Sequence, residues 1–163
     1  MGAFRNEAEM VIKALGYMVK NFDPDGMDMF FTQSEKEVRK SKKTEILVKA
    51  PKAVNFCGLS DMRSQLAAIT EDYKSNVTGK KDSWLSRILP KSSKLRRLSL
   101  YVLTDGNWQP GCDLKPTIQS MVKKLMEHDL IEKQVAIQFI RFGHRPESIL
   151  ELERLDADLG LPL

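Results

Sequence analysis

Apolar residues recur along the first twenty positions at helical spacing. Phe4, Ala8, Val11, Leu15 and Met18 fall at steps of four and three, and Met10, Ala14 and Tyr17 widen the stripe. The spacing predicts a helix over residues 3–20. "DPDG" at 23–26 breaks it. "MDMFFT" (27–32) predicts a short strand, and "SEKEVRKSKK" (34–43) reads as a solvated basic stretch. "TEILVK" (44–49) fits an edge strand or a helical turn.

The second half is patterned more strongly. After "GLSD", a stripe of Met62, Leu66, Ile69 and Tyr73 predicts a helix, with Ser60 or Asp61 as its cap. Residues 75–97 form a long polar connection in which Trp84, Leu85, Ile88 and Leu89 make one amphipathic turn. "LSLYVL" (98–103) is a near-continuous apolar run, the mark of a strand covered on both faces. Pro116 sits at the start of a helix carrying Ile118, Met121, Val122 and Leu125. "QVAIQFI" (134–140) is a second buried strand, and Pro146 opens a last helix with Ile149, Leu152 and Leu155. Strands alternating with amphipathic helices predict an α/β fold: a three-layer sandwich with a mostly parallel sheet and helices on both faces.

Composition narrows the class. The chain has 163 residues, 42% apolar and 29% charged, which suits one globular domain spanning residues 1–163. A net charge of +4 is too small to argue for nucleic acid. No apolar run approaches the roughly 18 residues of a membrane span, and "MGAFRNEAEM" is polar where a secretory leader needs an apolar core. Cys57 and Cys112 make no disulfide framework, so the expected setting is reducing and cytoplasmic.

Candidate chemistry centres on "LYVLTDGNWQPG" (100–111), where a buried strand runs into a carboxylate. In open α/β sheets ligands bind outside the carboxyl ends of the strands, where Asp105 falls. The turn "CGLSDM" leads into a helix and should share that face, bringing Ser60 near Asp105. Carboxylate and hydroxyl oxygens suit a hard cation such as magnesium. The alternative role for Asp105 is to close the "DGN" turn, and for Ser60 to cap its helix. Trp108 either covers the core edge or anchors an interface.

The residues "FDPDGMDMFFT", "GLSDMRSQLAAITEDY", "LSLYVLTDGNWQPGCD", "QVAIQFIRFG" and "LERLDADLG" carry a resemblance to the von Willebrand factor type A domain, most of all to its intracellular fungal versions. The resemblance implies a protein–protein interaction module with a metal-ion-dependent adhesion site. There a magnesium ion is finished by a partner's acidic residue. Asp105 matches the site's third-loop aspartate within the "TDG" of Thr104, Asp105 and Gly106, and Ser60 matches its second-loop threonine. With Trp108, these loops would form the binding face. Nothing matches the family's Asp-x-Ser-x-Ser motif, which ends the first, central strand. The expectation is therefore a domain lacking that strand and the last one, with magnesium held weakly or not at all.

Other features point less far. Asn21, Asp23, Asp25 and Gly26 mimic the start of a calcium loop, but Thr32 stands where the bidentate Glu belongs. His128 and His144 have no zinc-spaced partner, and neither cysteine has an adjacent base. No nucleophile elbow or phosphate-cradling glycine loop is present, so a binding module is expected rather than an enzyme. Two other readings stay open. One is a metal-free scaffold docking through an open sheet edge. The other is a nucleotide- or phosphate-binding domain using helix N-termini and "PKSSKLRR". No membrane partner is expected.

Overall fold

A computed structural model of the chain describes residues 2–19, 22, 23, 25–78, 97–128, 135–157 and 159. After a short 3-10 turn, helix α1 runs Arg5–Val19. It buries Ala8, Ile12 and Gly16, a face rotated from the predicted stripe, and leaves Met10, Tyr17 and Met18 exposed. The rotation follows from Gly16. A Cβ there would stand 2.8 Å from Thr44 Cγ2, so only the missing side chain lets α1 close onto the next helix. That helix, α2 (Thr44–Lys49), resolves the ambiguity of "TEILVK". It buries Leu47 and ends in a 3-10 turn at buried Pro51.

Between α1 and α2 stands a hairpin, β1 (Met27–Phe31) with β2 (Ser34–Ser41), antiparallel and with irregular register at both ends. The basic stretch 34–43 is thus mostly strand. Its backbone pairs with β1 while its charged heads stay in water, and the Arg39 guanidinium lies 4.3 Å over the Phe30 ring. Phe31 packs on Phe56, and Gln33 Nε2 donates to the Gly58 carbonyl, seating the hairpin on the chain that leads to Ser60.

The main core belongs to the second half. Helix α3 (Met62–Thr78) packs on α4 (Lys115–Glu127), and both flank the parallel pair β3 (Leu98–Thr104) and β4 (Val135–Arg141). Met62, Leu66, Val102, Leu114 and Ile118 form the buried cluster. Leu100, Ile137 and Phe139 from the strands pack against it, with Leu155 from helix α5 (Pro146–Ala157). Alternate strand residues supply this face, as the pleat requires. The β3–β4 register is unbroken from Leu98↔Val135 to Thr104↔Arg141.

The fold is mixed α/β, but among the described residues the strands make two separate two-stranded sheets, one antiparallel and one parallel. β1 and β3 do not pair, so the expected mostly parallel sheet is seen only as β3–β4. Of the polar connection 75–97, its start continues α3 to Thr78. The amphipathic turn at Trp84–Leu89 and "PKSSKLRR" lie outside the described residues, apart from Arg97. Among the described residues no helix is long and apolar enough to cross a membrane.

Candidate functional site

The carboxyl end of β3 turns sharply, and the turn is held from inside. Thr104 is buried, and its Oγ1 accepts from the Gly106 amide (3.0 Å) and from the Trp108 indole N–H (2.9 Å). Its carbonyl accepts from the Phe142 amide (2.8 Å), tying the turn to the end of β4. Gly106 has φ +71°, a conformation that only glycine adopts freely, and it presses against Ser148 of α5. Trp108 packs on Phe139 at 6.2 Å between ring centroids. It also lines a cavity of about 180 Å³ shared with Leu114, Lys115, Glu151 and Arg154. It therefore covers the core edge and keeps one side toward a groove.

Asp105 is half-buried, and one carboxylate oxygen accepts from the Asn107 amide (3.1 Å), the turn-closing role. Burial pushes its carboxyl pKa up, but hydrogen bonds to the carboxylate, that of Asn107 among them, pull it below the ordinary value. A depressed pKa stabilises the fold above the unfolded value of about 3.9. That contribution fades as pH falls through the native value.

Ser60 is brought to this turn by main chain. Its amide donates to the Asn107 carbonyl and its carbonyl accepts from the Gln109 amide, both at 3.2 Å. The cap of α3 is Asp61, whose Oδ1 accepts from the Ser64 amide (3.0 Å). These hydrogen bonds from Ser64 lower the Asp61 pKa. Ser60 is thereby released from the capping role. The predicted residues Ser60, Thr104, Asp105, Gly106 and Trp108 thus meet in one loop cluster.

Sequence reasoning missed Asn107, Arg145 and Ser148. Arg145 Nη1 donates to Asn107 Oδ1 (3.2 Å), linking the loop after β4 to the β3 turn. The "DGN" turn pointed to Asn107, but no local pattern singles out Arg145 or Ser148.

The oxygens of this cluster among the described residues are partly committed to the turn. The Thr104 hydroxyl is buried and already accepts twice, and one Asp105 oxygen serves the turn. Among the described residues no group of three or more His, Cys, Asp or Glu side chains could hold a metal ion. A stable octahedral site needs more oxygen ligands than Ser60 and Asp105 supply. Calorimetric titration with magnesium is expected to show weak binding or none. Tight binding abolished by Asp105→Ala would overturn that expectation.

A second prediction concerns Thr104. Thr104→Val keeps the shape but leaves the Gly106 amide and the Trp108 indole without an acceptor. Each buried unmet donor costs about 1–3 kcal/mol. The variant should lose about 2 kcal/mol or more, with an altered Trp fluorescence. An unchanged denaturation midpoint would show that the hydroxyl does not hold the turn.

No family model, curated protein or solved structure matches the chain.

Proposed function

We propose that the chain is a protein–protein interaction module of von Willebrand factor type A character, of three-layer design. Its recognition face is the loop cluster of Ser60, Asp105, Asn107 and Trp108, and its adhesion-type metal site is degenerate. The observation that supports this is the main-chain bridge from Ser60 to Asn107 and Gln109. It joins two sequence-distant loops beside the end of β3, where that resemblance puts the second and third loops of the site. The partner's chemistry follows from the surface. The cluster leaves Trp108 partly exposed and holds the exposed Arg145 guanidinium on Asn107, so an acidic or amide-bearing loop of another protein is complementary to it. The test is capture of partners on the immobilised chain, with and without chelator. Capture that survives chelator and is lost in Arg145→Glu supports the reading. Capture indifferent to Asn107→Ala and Arg145→Glu removes it.

A second reading, the metal-free scaffold docking through its sheet edge, is favoured by β3. In a parallel ladder a residue directs both its N–H and its C=O to the same neighbour. Thr104 directs its carbonyl to β4, so Leu98, Leu100 and Val102 do the same with both groups. Ser99, Tyr101 and Leu103 therefore point theirs to the opposite edge, with which no strand pairs among the described residues.

A further inference from the structure

We draw no further inference here: the strongest candidate, the outward apolar face of helix α1 that exposes Met10, Ala14, Tyr17 and Met18, carries nothing, because nothing in the structure shows what covers it.

Discussion

In dilute solution residues 1–163 are expected to melt over a broad range and to bind a dye that reports exposed apolar surface. The reason is the division of the strands. Each sheet has two strands, and a two-stranded sheet is marginal by itself. Along β3, Leu98, Leu100, Tyr101 and Leu103 keep part of their surface in water, and Phe22 is 86% exposed. The core is concentrated between α3, α4 and β3–β4, while α1, α2 and the hairpin pack mainly on one another. Two loosely joined parts need not unfold together. A domain is stable by only about 5–15 kcal/mol, so a few incompletely buried strand residues at ~1–2 kcal/mol each change the outcome. Calorimetry and dye fluorescence check this. A sharp, cooperative transition without dye binding would show that the described sheets are self-sufficient.

How legible this was in the sequence depended on burial. Helices α3, α4 and α5 and strands β3 and β4 were readable because their apolar residues face one shared core. Ile118, Met121 and Leu125 fall on the predicted stripe and are buried. The hairpin was half-legible. β1 shows as "MDMFF", but β2 is a strand of Ser, Glu, Lys and Arg, and its single apolar residue, Val38, carries no period. Nothing local marks a strand whose side chains stay in water and whose formation depends on the neighbour it pairs with. α1 failed in its face, not in its existence. It is apolar around most of its circumference, so the stripe through Met18 and the one through Ile12 compete, and Gly16 decides for Ile12 by close approach to Thr44. At the candidate site, Asp105, Gly106 and Trp108 were found because a carboxylate, a glycine and an indole after an apolar run break the pattern. The buried position of Thr104 was not foreseen, since a hydroxyl at a strand end gives no sign of which donors will reach it.

Gly106→Ala should be the most damaging single substitution in the loop cluster. Two independent effects act there. The backbone has φ +71°, which costs an L-residue roughly 1–2 kcal/mol. In addition, an added Cβ would lie 2.0 Å from the Ser148 Cβ, far inside contact distance. Ser148 is itself buried and bonded through its hydroxyl to the Arg145 carbonyl, so it cannot turn away without moving the start of α5. Overpacking of this kind costs about 1–3 kcal/mol. The sum is about 2–5 kcal/mol, enough to take a marginal domain below the level at which it stays folded. The two effects separate experimentally. Ser148→Gly removes the clashing carbon, and the remaining neighbour, the residue 148 Cα at 3.3 Å, is tight but bearable. The double variant should therefore be more stable than the sum of the single losses predicts, by about the steric part. Denaturant unfolding of the wild type, both single variants and the double variant measures that coupling. Strict additivity would show that the turn and α5 do not press on each other. A Gly106→Ala midpoint equal to wild type would show that the turn after β3 takes another conformation, and the loop cluster built on it would no longer stand as a fixed recognition face.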